Sequence, residues 1–327
     1  MRASAGKYVS LRRRPFTRRS VVVAGLLVLS ACTTSVTPKP LRTSSQAPEP
    51  NLSVTRIPEP NVSASKTSTA LNRCPGSEAF TRLPAFALLP GAPDDLLTLA
   101  DGTMWVSDPV RGMLRHLSSS GTILQSITDP EMPEGIALLP DGRLAVAEQR
   151  LNRVVTLRPP STSRTTLFEL PSAGAAAGLD GIAFDRGRGA LLVPDSPHGT
   201  LLTWSFPNGP LRTIARGLGR AVDAGVGPDG AIYVTSEAAR GLLRIENGAG
   251  VEVDAIAQAD DVVGANGLLY VTLIDAGEVL ALDPGTESAK VLVTGIRAAQ
   301  GLTVLRDGRL AIADSNRGVI ALARACS

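Results

Sequence analysis

After residue 75 the apolar positions fall in short runs of four to seven, alternating or continuous, each bounded by Gly, Asp, Asn or Pro. That is strand patterning, and no stretch in this region carries the 3.6-residue spacing of a long amphipathic helix. The runs come in pairs around a tight Gly-containing turn, most often Asp-Gly or Asn-Gly, which supplies the positive backbone angles a hairpin needs. Six copies recur: DDLLTLADGTMWVSD (94–108), PEGIALLPDGRLAVAE (133–148), LDGIAFDRGRGALLVPD (179–195), VDAGVGPDGAIYVTSE (222–237), ADDVVGANGLLYVTL (259–273) and QGLTVLRDGRLAIAD (300–314). Their turn glycines, Gly102, Gly142, Gly189, Gly230, Gly267 and Gly308, are 40, 47, 41, 37 and 41 residues apart. A period near 40 fits one four-stranded blade, so the pattern predicts an all-β chain, a six-bladed β-propeller over residues 75–327.

The two ends of the repeat array are unequal. The segment from Phe80 to Leu89 precedes the first copy without a partner, whereas the sixth copy stops after a third strand near Val319 to Leu322. The N-terminal segment is therefore expected to close the last blade as its outer strand, which also covers an otherwise exposed sheet edge.

The first 31 residues read differently. Seven basic residues precede position 20, followed by an apolar core from Val21 to Leu29 that is too short to span a bilayer. Leu29-Ser30-Ala31-Cys32 resembles the bacterial lipobox, which implies a cleaved signal peptide (1–31) and a lipid on Cys32. The pair Arg13-Arg14 followed by Pro15-Phe16 also resembles a twin-arginine export signal. Residues 32–74, rich in Ser, Thr and Pro, cannot bury enough apolar surface to order themselves and are expected to form a tether. The predicted location is extracytoplasmic, on a bacterial membrane. With Cys32 acylated, Cys74 and Cys326 remain as a pair in an oxidising compartment, and a disulfide between them is expected.

Charge changes meaning once the leader is set apart. The chain carries 33 basic and 30 acidic side chains, but removing the leader's seven leaves 26 against 30, so the basic pI of about 9.0 gives no support for a nucleic-acid partner.

The copies resemble NHL repeats, with Pro133-Glu134-Gly135-Ile136 through Asn152-Arg153-Val154 as the closest match and Asp314 to Val319 matching the second half. That resemblance implies architecture; its members include ligand binders, protein scaffolds and enzymes. In such a blade the start of the first strand and the end of the second share one face. The strand starts contribute Asp94, Asp95, Glu134, Asp180, Asp223, Asp260, Asp261 and Gln300. Oxygen donors converging there would suit Ca²⁺ or another divalent cation, with Glu134, Asp180, Asp223 and Asp260 as metal ligands and Asp95 and Gln300 as ligand-binding groups. Equally, the acids cap strand starts by accepting backbone N–H bonds. Similar propellers of the SMP-30/gluconolactonase and paraoxonase type hold metal in Glu-Gly, Asn-Gly and Asp-Gly contexts. Glu134-Gly135 and Asp180-Gly181 match these, and no Asn-Gly opens an inner strand.

The strand ends contribute Asp108, Glu148, Asp195, Glu237 and Asp314, with Arg111, Arg153, Arg240 and Arg317 in the following loops as expected ion-pair partners. The third copy has His198 instead, a candidate general base beside Asp195. His116 reads as structural. No nucleophile elbow, zincin or phosphate-loop motif is present in the sequence. Three functions fit: a lipid-anchored propeller binding a small ligand or protein on its acid-lined face, a metal-dependent lactone or ester hydrolase, and a structural envelope scaffold.

Overall fold

The computed structural model describes residues 68–171, 178–238, 241–253, 256 and 258–327. The leader, Cys32, most of the tether and Arg240 lie outside the described residues. Within them, the chain forms strands and four three-residue 3-10 turns, and no helix is long and apolar enough to cross a membrane.

The strands form antiparallel four-strand meanders that follow the repeats. The first runs through Leu96–Thr98, Met104–Asp108, Met113–Leu117 and Ile123–Thr128, and the second through Pro133–Leu138, Leu144–Glu148, Arg153–Leu157 and Arg164–Glu169. The third (Ala183–Asp185 to Leu211–Arg216) and fourth (Ala221–Val226 to Ala249–Glu252) lie in one eight-stranded sheet, joined by a single parallel pair, Arg216 with Ala249. Hydrogen bonding therefore yields five sheets where the repeat count predicts six separate ones. The fifth meander, Ala259–Ala265 to Ser288–Thr294, carries one extra short parallel strand, Glu78–Ala79.

The sixth meander confirms the closure read from the unequal ends. Ala85–Leu88 pairs antiparallel with Val319–Arg324, so the N-terminal segment supplies the outer strand of the last sheet. Cys74 and Cys326 are bonded beside it. Lys290 donates its ammonium to the Cys74 carbonyl (2.9 Å) and the Cys326 N–H donates to the Tyr270 hydroxyl (3.1 Å), which ties both chain ends to the fifth meander.

Six inner strands pack in chain order, and the sixth packs against the first. Between successive meanders lie six apolar layers. Trp105 and Leu114 meet Val146 and Val155 at one junction, and Met104 and Val106 meet Ala311 and Ile320 at another. Leu, Val, Ile and Ala fill most of this space, which explains how a chain with 3% aromatic residues packs a core of this size.

The inner-strand starts carry the device that positions everything at the centre. In four inner strands the pairing with the second strand skips two residues, at Glu134-Gly135, Val222-Asp223, Asp260-Asp261 and Gln300-Gly301. Around these skips, backbone groups of the inner strands turn from their own ladder and reach the neighbouring meander. Two kinds of clasp result. The backbone N–H groups of Ile136, Val262 and Leu302 donate to Asp95 (2.5 Å), Asp223 (3.2 Å) and Asp261 (2.5 Å), each on the preceding meander. At the other three junctions the N–H groups of Gly135, Gly181 and Gly301 donate to the carbonyls of Asp180 (2.9 Å), Val222 (2.8 Å) and Asp94 (3.1 Å). Glycine is required for this close approach, since a Cβ on Gly135 would lie 2.7 Å from the Asp180 carbonyl oxygen.

Replacing both Cys74 and Cys326 by Ser releases a loop with 252 residues of sequence separation. The double variant is expected to lose about 5 kcal/mol of unfolding free energy on the chain-entropy model, measured as a drop in the urea midpoint with a steeper slope, because the unbridged unfolded chain exposes more surface.

Candidate functional site

The inner-strand starts and second-strand ends enclose a cavity of about 120 Å³ at one mouth of the channel. It is lined by eight acidic side chains (Asp94, Asp95, Glu134, Asp180, Asp223, Glu237, Asp260 and Asp261) and by one cation, Arg220, together with Gln149 and Gln300. The acids expected from the strand starts are thus brought together.

Within the cavity the acids occupy two levels, set by their order along the inner strands. Asp95, Asp223 and Asp261 form the deeper level and spend their oxygens on the clasps. Their own N–H groups donate to Ser107, Thr235 and Thr272 hydroxyls, each at 2.9 Å, on the adjacent second strand. Asp94, Glu134, Asp180, Asp260 and Gln300 form the upper level. Asp223 therefore belongs with the clasps and apart from the other three residues expected as metal ligands.

Asp180 is the most heavily partnered of these acids. It accepts from Gln149 Nε2 (2.5 Å), Ser196 Oγ (2.8 Å) and Arg220 Nη2 (3.0 Å). Arg220 also pairs with Glu237, so one guanidinium bridges two acids of the mouth. Gln300, with its amide nitrogen turned inward, donates to both oxygens of Asp260 at 3.0 and 3.2 Å. Asp94 and Glu134 hydrogen-bond to each other.

Burial dominates the electrostatics. Desolvation raises Asp94 to about 7, partly opposed by the bond from Glu134 and reinforced by the charges of Asp180 and Asp261. Asp95, Glu134, Asp223 and Asp260 are pushed well above the usual carboxylate range, first by burial and then by neighbouring acids. Asp180 is raised by burial against the opposing pull of Arg220, Ser196 and Gln149.

The strand-end residues divide. Asp108 pairs with Arg115 (2.7 Å) and takes only the backbone N–H of Arg111, so the expected side-chain partner is replaced by a residue on the third strand. Glu148 pairs with Arg153, and Asp314 with Arg317, within their own meanders. Glu237 stands one residue beyond Ser236, which occupies the equivalent strand-end position, and it turns into the mouth toward Arg220. His198 hydrogen-bonds Asp195 through Nδ1 (2.9 Å) and is not among the cavity-lining residues, so the structure separates it from the acids. His116 stacks on buried Trp105 and contacts Thr103 (2.9 Å), a structural setting.

Among the described residues no three His, Cys, Asp or Glu side chains are arranged to hold a metal ion. The donor chemistry gives the reason: Asp180 already accepts from three donors, Asp223 is committed to a clasp, and Arg220 places a fixed positive charge among the remaining acids. The residues as arranged do not fit a divalent cation. Sequence reasoning missed Gln149, Ser196 and Arg220. The available signal was positional, since Arg220 directly precedes a strand start and Gln149 directly follows a strand end.

No protein-family model matches the chain, and no characterised protein matches it by sequence. Solved structures do. A gluconolactonase from Xanthomonas campestris superposes with a TM-score of 0.62 at 14% identity, covering 74% of this chain and 88% of that one. The fold is that of a β-propeller. A virginiamycin B lyase from Staphylococcus aureus gives 0.57 at 17% identity, covering 72% and 81% of the two chains. A structure of a nidogen/laminin complex gives 0.56 at 18%, covering 64% and 83%. Neighbours this different share architecture across enzymes and a protein complex, so the site must carry the functional argument.

Two outcomes follow. Arg220→Met removes the internal cation, and Ca²⁺ affinity of the variant is expected to exceed that of the wild type by about tenfold or more in calorimetric titration. The acids also set a pH dependence. Asp94 keeps its proton in the folded state up to about pH 7, whereas the unfolded chain releases it near the ordinary aspartate value of 3.8, so folded stability declines across that window. Thermal scans should show Tm falling by roughly 5 °C or more between pH 4 and 7, with a shallower slope in Asp94→Asn.

Proposed function

We propose that this chain is an exported six-bladed β-propeller, anchored to a bacterial membrane by lipid on Cys32, whose acid-lined mouth binds a small ligand through a positively charged group. Reading the eight-stranded sheet as two blades rests on its single joining pair, Arg216 with Ala249, and on the separate apolar layer between its halves. The observation that carries the ligand reading is the imbalance of eight acidic side chains against one arginine in a cavity of about 120 Å³. Burial without enough counter-charge holds protons on these groups, and a ligand cation that displaces them gains their full attraction. The volume suits an ammonium or guanidinium group, free or presented by an envelope protein, and is below the range of about 300 Å³ upward for whole drug-sized ligands.

Calcium, the ion expected from the strand-start acids, is the competing occupant. A lactone or ester hydrolase is the second reading, favoured by the gluconolactonase neighbour. It would need a base at the mouth, and His198 is turned to Asp195.

Calorimetry of the full chain with methylguanidinium and with Ca²⁺ separates these readings. Methylguanidinium binding is expected to tighten from pH 5 to 8 and to weaken about tenfold in Asp260→Asn. Tight Ca²⁺ binding to the wild type with no response to methylguanidinium would overturn the proposal. Lactone turnover abolished by EDTA would establish the hydrolase instead.

A further inference from the structure

The channel has a second chamber that the acid-lined mouth does not explain. It opens on the opposite face, among the hairpins between first and second strands, and its volume is about 790 Å³. That volume lies within the range of small-molecule sites, about 300–1,000 Å³. The first cavity is several times smaller.

The inner strands supply most of the lining. Two residues beyond the deeper acid level, the inner strands present Leu97, Ala137, Ala183, Gly225, Val263 and Thr303 to the chamber. These are apolar or small, and their small size leaves the space open. At the inner end the chamber meets Asp95, Asp223 and Asp261, which line both cavities and so form the partition between them. The outer rim carries Arg186 and Arg188. Arg188 is neutralised by Asp185 (2.6 Å) and donates to the Gly230 carbonyl (2.8 Å), while Arg186 is exposed to solvent, where screening weakens its field. An apolar wall ending in three buried acids calls for an occupant with an apolar body and one positive end.

We propose that this chamber is a second ligand site, distinct from the mouth, that takes a small amphipathic amine with its apolar body against Leu97, Ala183 and Val263 and its ammonium toward Asp95, Asp223 and Asp261. The site is reached from the face opposite the acid-lined mouth and needs no ligand there. Its selectivity comes from two separable sources: the wall selects a hydrocarbon body, and the partition selects the charge. The clasp bonds hold the three acids in place, so the site is formed before the ligand arrives.

Hexylammonium, hexanol and hexanoate share one apolar body and differ only in charge. In calorimetric titrations of the full chain, hexylammonium is expected to bind about tenfold more tightly than hexanol, with hexanoate weakest, because a charge-assisted bond exceeds a neutral one by roughly 1.4 kcal/mol. Ala183→Phe and Thr303→Phe each fill the chamber from a different strand, and each should weaken hexylammonium binding by about tenfold or more while leaving methylguanidinium binding at the mouth unchanged. Thermal scans identify which variants fold. Undiminished hexylammonium binding in a folded filled variant would overturn the proposal, as would hexanol binding as tightly as the amine. Failure of methylguanidinium to bind the wild type bears on the mouth alone.

Discussion

The structure depends on how the inner strands are joined where they leave ladder pairing. In four of the six inner strands the chain skips two residues of the ladder near its start, and at every junction a backbone N–H near a strand start bonds across to a neighbouring meander. A buried carboxylate or a backbone carbonyl serves as acceptor at every junction. An inner strand has no further strand beyond it within its own sheet, so these cross-bonds are what satisfy its open edge near the axis. The apolar layers supply the bulk of the burial energy, but being non-directional they do not by themselves determine how closely the inner strands approach.

This solution has an electrostatic cost that the site inherits. Three of the six junctions use aspartate, which brings Asp95, Asp223 and Asp261 together at the partition between the two cavities. The upper level adds further acids, and only Arg220 opposes them among the cavity-lining residues. Burial then raises their pKa values, with neighbouring acids adding to the effect at Asp95, Glu134, Asp223 and Asp260. The same residues are thereby strand connectors and the floor of two cavities.

Arg220 marks the difference between this mouth and a metal centre. A guanidinium bonded to Asp180 and Glu237 supplies positive charge in a fixed direction, where an ion would need several oxygens around one point. The fold accommodates either arrangement, since the strand-start positions are set by the blades and the residue types are free to differ.

The repeat period, the strand character and the closing N-terminal segment were legible along the chain because hairpin turns and alternating hydrophobicity are local properties. So was the pairing of Cys74 with Cys326, once the third cysteine, Cys32, was read as the residue that carries lipid. The clasps left a trace as well: where a strand start carries Asp95, Asp223 or Asp261, the second strand offers Ser107, Thr235 or Thr272, and where it carries Gly135, Gly181 or Gly301, the second strand has Ala147, Pro194 or Ala313. What only the tertiary structure decided was the use of each acid. Asp180 became a triply bonded anchor, Glu237 a member of the mouth, and His198 a partner of Asp195 away from it. Those outcomes depend on side chains arriving from blades about forty residues apart, and on how deeply each is buried. The sequence of a repeat specifies its own strands, but the charge environment at the axis exists only when all the repeats meet.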